Sequence, residues 1–299
     1  MNISLKQLMV FTTTARLNGI TKAAKELCLT QSAASQSLKE LENIIGRQLF
    51  NRVGRNLYIN EQGTAILSKA NLMLEMQQEI QDPQCSVLNG ELIISASVTI
   101  GSYLLPKLLA DFAKQHPLIT PKLLIKNSEE VMAEMFAGEA HIGFIEAPLS
   151  HQSLSTSPWR TDTLIAFCAN KNPLAKKGQI TLNEIPKQRW ILREHGSGTR
   201  SVFINSMQQQ GLLVESSIEL SREEAIKQMV QADLGLGVLS LLSIQQELDL
   251  GLFKQLHTQL NLKRLFSIVK SKHYQHNNIV KKFICFLEQT ANKTNIASN

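Results

Sequence analysis

The sequence predicts an α/β protein in three parts: a helical N-terminal module, a long connecting helix, and a C-terminal region of alternating strands and helices. Within the first 45 residues, apolar side chains recur at spacings of three and four, as they do in short amphipathic helices. Between about residues 60 and 82 they recur every seven residues, which indicates one long helix. From Gly90 onward, short apolar runs alternate with helical patterns, which is typical of α/β domains.

The length and composition are those of a globular protein with more than one domain. The chain has 299 residues, of which 43% are hydrophobic, so it is too long for one compact core and too apolar to be disordered. No apolar stretch reaches the roughly 20 residues of a membrane span, and the first residues do not resemble an export signal. We therefore expect a cytoplasmic protein without a membrane partner.

The N-terminal module is predicted to begin with two short helices. The first helix buries an apolar stripe made of Leu5, Leu8, Phe11 and Ala15. Asn18 and Gly19 are expected to end this helix, since glycine accepts the left-handed conformation at a helix end. Thr21 is predicted to N-cap the second helix, and Thr30 is predicted to N-cap the third.

The third helix has an apolar and a polar face. Its apolar face is made of Ala34, Leu38, Leu41 and Ile45. Small alanines near both helix starts allow the close approach that a helix-turn-helix requires, and the second helix of that motif contacts base edges and phosphates. We therefore predict contacts to double-stranded DNA from Thr30, Gln31, Ser32, Ala33, Ser35, Gln36 and Lys39. The basic wing that follows, residues 49–55, adds Arg52 and Arg55 to the predicted DNA contacts.

Positive charge is concentrated in this same module. Residues 1–60 contain eight Lys and Arg residues but three Glu and no Asp residues, whereas the whole chain has a formal net charge of +6. Nearly all of the excess therefore lies in the first sixty residues, which is the footprint of a protein that binds a polyanion. A merely solvated basic face would carry the same charge, but it would not coincide with a groove-reading helix.

These sixty residues resemble the winged helix-turn-helix of the LysR-type transcriptional regulators. The family pattern A-A-x-x-L-x-x-[ST]-Q-x-A-x-S-x-x-[IL]-x-x-L-E matches Ala23 to Glu42, and the wing pattern L-F-x-R-x-x-R matches residues 49–55. The chain departs from the family at Ser32, usually Pro, and at Asn60, usually Thr; Asn caps a helix at least as well. The resemblance implies a sequence-specific DNA-binding regulator of transcription, with promoter DNA and RNA polymerase as partners.

The connecting helix is predicted to begin after Asn60 and to end near Asp82-Pro83, because proline cannot continue a helix. About 22 residues give a rod of roughly 33 Å. Ile66, Met73 and Ile80 form a heptad seam, which favours pairing with a second copy of the chain over an ordinary surface helix. The family resemblance also implies that a linker helix, over residues 61–89, forms a homodimer or homotetramer.

Residues 90–299 are predicted to form two α/β subdomains. Predicted strands lie near 91–97, 122–126, 142–145, 163–169, 189–194, 217–220 and 236–240. Predicted helices lie near 103–115, 129–137, 199–210 and 222–232. The resemblance implies a periplasmic-binding-protein-like effector domain, with subdomain I over about 90–161 and 269–299 and subdomain II over about 162–268. It further implies that an effector binds in the cleft between these subdomains, while residues 1–60 bind DNA.

Two strand-to-helix turns carry the residues that we expect to bind this effector. Helix N-termini offer unpaired N–H groups and a partial positive charge, so they bind small anions. The first turn supplies Ser97, Thr99, Ile100, Gly101 and Ser102. The second turn supplies His195, Ser197, Gly198, Thr199 and Arg200. One such turn would be explained by helix capping alone, but one from each half of the cleft favours a site for a small anionic effector.

Glu146 is predicted to lie buried in the same cleft. Two roles are open: it pairs with Arg193 or Arg200, or it repels anions and so limits which ones bind. The run from Arg193 to Arg200 also resembles a LysR subgroup that includes the CbbR, CysL and YeiE regulators, which implies a small anionic effector. The chain departs from the pattern at Ala147, usually Gly in the subgroup, and at His141, usually Asp in the family.

Three other functions are compatible with parts of the sequence. An enzyme is disfavoured, because the turn at residues 196–198 has neither the G-x-S-x-G nucleophile pattern nor a P-loop lysine. A solute-binding protein would use residues 90–299 but leave the N-terminal module unexplained. A thiol-based redox sensor would use Cys28, Cys85, Cys168 or Cys285, most of which we expect to be buried and structural. The histidines show no metal-ligand spacing, so neither a metal nor another cofactor is expected.

Overall fold

The structure is a computed structural model that describes residues 2–53, 56–81, 88–146, 154–213, 216–271, 274 and 277–296. The chain divides into two compact units. The first unit consists of residues 1–88 with the short segments 137–139 and 273–281. The second unit contains residues 89–136, 140–272 and 282–299.

The first unit contains a three-helix module, a hairpin and a long helix. These elements are α1 (Leu5–Leu17), α2 (Ile20–Glu26), α3 (Gln31–Ile45), β1 (Phe50–Val53), β2 (Asn56–Ile59) and α4 (Glu61–Gln81). Strands β1 and β2 are antiparallel, so they form the predicted wing. The predicted stop of α4 at Asp82-Pro83 lies outside the described residues.

Helix caps explain most of these boundaries. Thr30 caps α3 as predicted, since its side chain accepts a hydrogen bond from the Ala33 N–H. Asn60 caps α4, because its Oδ1 accepts from the Gly63 N–H at 2.9 Å. The prediction that Thr21 caps α2 is wrong: α1 ends at Asn18, which has a left-handed φ of 49°. The extended residue Gly19 is the N-cap of α2, which therefore starts two residues earlier than the sequence predicted.

The core of the first unit also changes the interpretation of α4. Phe11, Leu38 and Leu41 are buried in this core together with α4 residue Ala70. Ile66 is partly buried and packs against the same core. Met73 and Ile80, in contrast, are 49% and 79% exposed. Met73 and Ile80 are thus the more exposed members of the predicted seam, and pairing of α4 with a second copy stays a prediction.

The second unit contains the remaining strands and helices. Its strands are β3 (Gly90–Ser97), β4 (Ile119–Lys126), β5 (Ile142–Ile145), β6 (Leu154–Ala169), β7 (Arg189–Arg193), β8 (Ser216–Leu220), β9 (Leu236–Ser240), β10 (Phe253–Leu256) and β11 (Lys263–Ser271). Its helices are α5 (Val98–Tyr103), α6 (Leu105–Gln115), α7 (Ser128–Ala137), α8 (Pro173–Lys177), α9 (Gly198–Gln209), α10 (Glu223–Gln231), α11 (Leu241–Asp249) and α12 (Asn278–Ile296). The last residue of α7 and residues 278–281 of α12 belong to the first unit.

The strands are hydrogen-bonded in the order β4-β3-β5-β11-β6-β9-β7-β8, with β10 paired to β6. Strands β3, β4 and β5 are parallel to one another, as are β7, β8 and β9. Strands β6 and β11, in contrast, run antiparallel to each other and to their other neighbours. These two long strands, the crossing strands β6 and β11, join the two parallel sets.

One local expectation in this unit is wrong. The segment 97–102 is not a loop that precedes a helix at Tyr103, because residues 98–103 form the short helix α5. Ile100, Gly101 and Ser102 therefore lie within a helix rather than in a turn. Only Ser97 and the first residues of α5 lie at the N-terminus of this helix, where unpaired N–H groups can bind an anion.

Candidate functional site

The polar face of α3 has the form predicted for a DNA-binding surface. Gln31, Ser32, Ala33, Ser35, Gln36 and Lys39 are all exposed, as is the cap residue Thr30. The Thr30 and Ser32 hydroxyls lie 3.1 Å apart, and Arg52 is exposed on the hairpin strand β1. Arg55 lies outside the described residues. These exposed donors and acceptors are suited to phosphates and base edges.

A buried polar cluster lies in the second unit, where the ends of β3, β5 and β7 meet the crossing strands. Glu146 lies at its centre and its side chain is 2% exposed. Its Oε1 accepts from the Thr99 N–H at 3.1 Å, and its Oε2 accepts from the Thr199 hydroxyl at 3.0 Å. The two predicted turns are therefore brought together, and a carboxylate of the protein itself occupies donors that we assigned to an anion.

Arg264 is the cation that balances this cluster, and the sequence did not identify it. Its Nη1 donates to Glu146 Oε2 at 2.7 Å and to the Thr199 hydroxyl at 2.9 Å. Its Nε donates to Asp162 Oδ2 at 2.6 Å, and Asp162 Oδ1 accepts from the Ser240 hydroxyl. The expectation that Glu146 pairs with Arg193 or Arg200 is therefore wrong, because its partner comes from the crossing strand β11.

The charge state of Glu146 follows from these contacts. Burial alone would raise the pKa of its carboxyl, but the Arg264 guanidinium, hydrogen bonding from Thr99 and the charge of Arg193 lower that pKa to about 2. The nearby Ser97 hydroxyl also lowers this pKa, although its Oγ does not meet the geometry of a hydrogen bond. Glu146 is consequently an anion at neutral pH, held among the donors of both turns.

Arg193 and Glu223 form the other side of the cluster. Arg193 binds Glu194 through Nε and Nη2, at 2.8 and 2.9 Å, while its Nη1 lies 3.7 Å from Glu223 Oε1. Glu223 Oε1 accepts from the Thr99 hydroxyl at 3.0 Å. Burial and the charge of Glu146 raise the pKa of Glu223, which shifts this carboxyl towards its neutral form.

Several buried donors of the cluster have no hydrogen-bond partner in the described part of the chain. They are the Ser97 hydroxyl, the Ser197 hydroxyl and Arg193 Nη1. Ser97 and Ser197 each precede a helix, yet neither side chain caps it. Because unpaired buried polar groups are costly, these three donors mark the cluster as the candidate site of the second unit.

Two glycines allow the second turn to reach this position. Gly196 has a φ of +83°, which favours glycine. At Gly198 an added Cβ would lie 2.6 Å from the Glu146 Cβ, so only glycine permits this close approach.

The remaining predicted effector residues are less closely involved. His195 has a side chain that is 92% exposed and lies 3.9 Å from Glu129. Ser102 is exposed, whereas Ile100 and Gly101 are buried within α5. Arg200 is partly exposed, donates to the Arg193 carbonyl and pairs with Glu219. Of the predicted set, Ser97, Thr99, Glu146, Ser197 and Thr199 come together.

The cysteines and histidines contribute little to this cluster. Cys28, Cys168 and Cys285 are free thiols, and the expectation that most cysteines are buried fails for Cys28 and Cys285, which are exposed. Burial and nearby Asp233 raise the pKa of the Cys168 thiol to about 11. In the part of the chain that the structure describes, no group of His, Cys, Asp and Glu is arranged to hold a metal ion, and no helix could cross a membrane.

Comparison with known proteins finds a family model for the N-terminal part of the chain and another for the C-terminal part. The family model for the bacterial regulatory helix-turn-helix protein, lysR family, matches residues 5–64, and the model for the LysR substrate binding domain matches residues 86–292. The HTH-type transcriptional regulator YeiE of Escherichia coli (strain K12) is 35% identical over 289 residues, which cover 96% of this chain and 98% of that protein.

Solved structures show the same fold. A full-length OxyR variant from Pseudomonas aeruginosa has a TM-score of 0.77 at 20% identity, covering 96% of this chain and 95% of that one. The Synechocystis PCC6803 CcmR regulatory domain, in complex with 2-PG, has a TM-score of 0.63 at 26% identity, covering 68% of this chain and 97% of that one. The chain therefore belongs to the LysR family of DNA-binding transcriptional regulators with effector-binding domains.

Proposed function

We propose that this regulator is controlled by a small anion that binds between the turns that begin α5 and α9. The observation that carries the proposal is a set of three buried donors that make no hydrogen bond within the described residues: the Ser97 hydroxyl, the Ser197 hydroxyl and Arg193 Nη1. They come from both turns, so one ligand that accepts from all three would bind both halves of the domain. The binding of 2-PG by the CcmR regulatory domain supports a small-molecule effector at this type of domain.

The internal carboxylate restricts which anion fits. Glu146 already uses the Thr99 N–H and the Thr199 hydroxyl, so the effector has only the three remaining donors or must displace Glu146. Of the two buried guanidinium groups, Arg264 pairs with Glu146 and Asp162, and Arg193 pairs with Glu194 and lies near Glu223. The shift of Glu223 towards its neutral form lowers the total negative charge. We infer that a compact anion of low charge binds better than a large polyanion.

Ligand binding would regulate the protein by favouring one arrangement of the two turns over another. A ligand shifts such an equilibrium only by its differential affinity for the two arrangements. An anion bonded to Ser97 and Ser197 pairs donors that make no hydrogen bond within the described residues, so it favours the arrangement in which both turns are close.

The remaining functional assignments are proposals of the same kind. DNA contacts would come from α3 and the wing, including Arg52 and Arg55, within a DNA-binding domain at 1–60. A linker over 61–89 would join it to a regulatory domain at 90–299, with subdomain II over about 162–268. We propose that the protein acts in the cytoplasm as a homodimer or homotetramer, contacts RNA polymerase at promoters, and has no catalytic activity of its own.

Calorimetric titration of the full-length chain tests the anion site. The probes are sulfate, inorganic phosphate and 2-PG, each titrated into the wild type, Ser197→Ala and Ser201→Ala. A hydrogen bond to a charged ligand contributes about 1.5–3 kcal/mol, so Ser197→Ala should lower affinity for the bound probe by about 10- to 100-fold. Because Ser197 Oγ makes no hydrogen bond in the described part of the chain, this substitution removes none from the described part of the unliganded domain.

Ser201→Ala is the matched control, since Ser201 lies on the same helix and its hydroxyl donates to the Ser197 carbonyl. It should leave the affinity unchanged. Equal affinity of all three proteins for a probe would place the effector elsewhere. Affinity that falls equally in both variants would mean that the helix start, rather than the Ser197 hydroxyl, is responsible.

A thiol-based redox sensor is less well supported. Thiol reactivity requires the thiolate form, and a pKa of about 11 for Cys168 keeps that side chain protonated. The described residues offer no second cysteine paired with it in a disulfide.

A further inference from the structure

One side chain on the exposed face of α3 is held by its neighbours. Gln36 is the sixth residue of α3, and its Nε2 donates to Glu40 Oε1 at 2.9 Å. The second oxygen of the same carboxylate, Glu40 Oε2, accepts from Gln7 Nε2 at 3.3 Å. Glu40 therefore links the exposed face of α3 to helix α1.

Gln7 is itself fixed, which makes this link more than a pair of surface side chains. Gln7 is 9% exposed. Its Oε1 accepts from the Ser4 N–H at 2.9 Å, and its own N–H donates to the Ser4 hydroxyl at 3.2 Å, so both residues form the capping box of α1. Because Gln7 is anchored at the start of α1, it limits the positions that the Glu40 carboxylate can take.

The chemistry of this contact decides which way the Gln36 amide faces. An ionised carboxylate can only accept hydrogen bonds, so the end of the amide that faces Glu40 must be the NH₂ group. One of its two hydrogens binds Glu40. The other hydrogen and the carbonyl oxygen stay available, and Gln36 thus presents one donor and one acceptor side by side.

This donor and acceptor match one base edge in the major groove. Adenine offers the N7 acceptor beside the N6 donor, and glutamine binds this pair with two hydrogen bonds. Guanine presents two acceptors, N7 and O6, which would leave the Gln36 carbonyl oxygen opposite another acceptor.

We propose that Glu40 is a positioning residue that orients Gln36 to select an adenine in each half-site of the target DNA. The inference rests on the proposed placement of α3 in the major groove. Glu40 does not touch the base; it restricts the amide so that less conformational freedom is lost on binding.

The other acidic residues of this module have different partners. Glu26 pairs with Arg16, and Glu42 Oε1 accepts from the Leu49 N–H at 2.8 Å. Neither binds a side chain of the predicted DNA-contacting set. Glu26 is therefore a control for removing a negative charge from the module without releasing Gln36.

Base-resolved binding measurements on the full-length chain test this inference. A preferred duplex is first selected from a randomised library, and affinities are then measured with each base in turn at every position. A bidentate contact to a base discriminates by about 5- to 100-fold, so the wild type should prefer adenine by that factor at one position per half-site. Gln36→Ala should abolish this preference and leave the other positions unchanged.

The Glu40 variants separate positioning from charge. Glu40→Ala should lower the adenine preference to less than about a third of the wild-type factor, while affinity for all duplexes rises because a negative charge is lost. Glu40→Gln should raise affinity in the same way but retain part of the preference, since its amide oxygen still accepts from Gln36, although its NH₂ group cannot accept from Gln7 as Glu40 Oε2 does. Glu26→Ala should change affinity without changing preference, and Gln36→Ala/Glu40→Ala should match Gln36→Ala at that position.

Three outcomes would overturn the proposal while leaving the regulatory function intact. They are an unchanged adenine preference in Glu40→Ala, a base other than adenine at the position lost in Gln36→Ala, and loss of preference in Glu40→Gln as complete as in Glu40→Ala. A wild-type chain that binds no duplex with sequence preference would instead overturn the proposed placement of α3 as well.

Discussion

Replacing Arg264 with methionine should destabilise the regulatory domain more than any exposed arginine substitution. The change leaves Glu146 and Asp162, whose side chains are 2% and 3% exposed, without their shared cation. It also removes the donors to the Thr99 and Thr199 hydroxyls. Breaking a buried ion pair by removing one partner costs about 3–5 kcal/mol, a large part of the 5–15 kcal/mol by which domains are stable.

Urea unfolding followed by tryptophan fluorescence measures this loss selectively. The chain has two tryptophans, Trp159 and Trp190, and both lie in the second unit. A loss of 3–5 kcal/mol corresponds to a fall in Tm of about 6–20 °C for a domain of this size. Arg189→Met, which removes an exposed arginine at the start of β7, should lower stability by less than about 1 kcal/mol.

The pH dependence of the stability difference between the wild type and Arg264→Met adds a second check. In the wild type the pKa of Glu146 is lowered to about 2, so its contribution to stability is present above pH 4.5 and is lost as pH falls from 4.5 through 2. Without Arg264, burial raises that pKa, and the variant is most stable where the carboxyl is protonated. The difference in free energy of unfolding between the wild type and Arg264→Met should therefore become smaller as pH falls.

Adding Glu146→Gln to Arg264→Met should restore part of the stability, because it removes one of the two uncompensated carboxylates. A loss below about 1 kcal/mol at pH 7 would refute this account of the cluster. A difference in free energy of unfolding between the wild type and Arg264→Met that stays constant between pH 7 and pH 4 would also refute it.

Three further outcomes follow from other parts of the molecule. Burial lowers the pKa of His141 to about 4, and its Nδ1 accepts from the Ile93 N–H. The free energy of unfolding of the wild type, measured with urea, should therefore fall by about 2 kcal/mol as pH falls from 6.5 to 5. His141→Asp should not show this fall, and equal falls in both proteins would contradict the prediction. Met73→Glu should dissociate the oligomer in sedimentation velocity, and an unchanged sedimentation coefficient would place the interface elsewhere than on α4. Arg52→Ala should weaken binding to all duplexes alike and reduce the salt slope by about 1; a change in sequence preference would instead make Arg52 a base-reading residue.

The sequence by itself determined the elements that depend on neighbouring residues. The periodicity of Leu38 and Leu41 specifies the buried face of α3, and Thr30 and Asn60 specify where helices begin, because a cap needs only residues within one turn. The alternation of strands and helices in the C-terminal region was likewise readable from local pattern. Together with the motif over residues 23–42, these features predicted the family before any tertiary contact was known.

Only the tertiary structure decided the composition of the buried cluster. Arg264 and Glu146 are 118 residues apart in the chain, and no local pattern distinguishes Arg264 from the other basic residues of its strand. They meet because β11 pairs with β5 and β6, and strand pairing over such separations is not encoded in the spacing of either residue. The same holds for Gln36 and Gln7, which are joined through Glu40: α1 and α3 pack together through their apolar faces, and that packing sets which polar side chains meet at the edge.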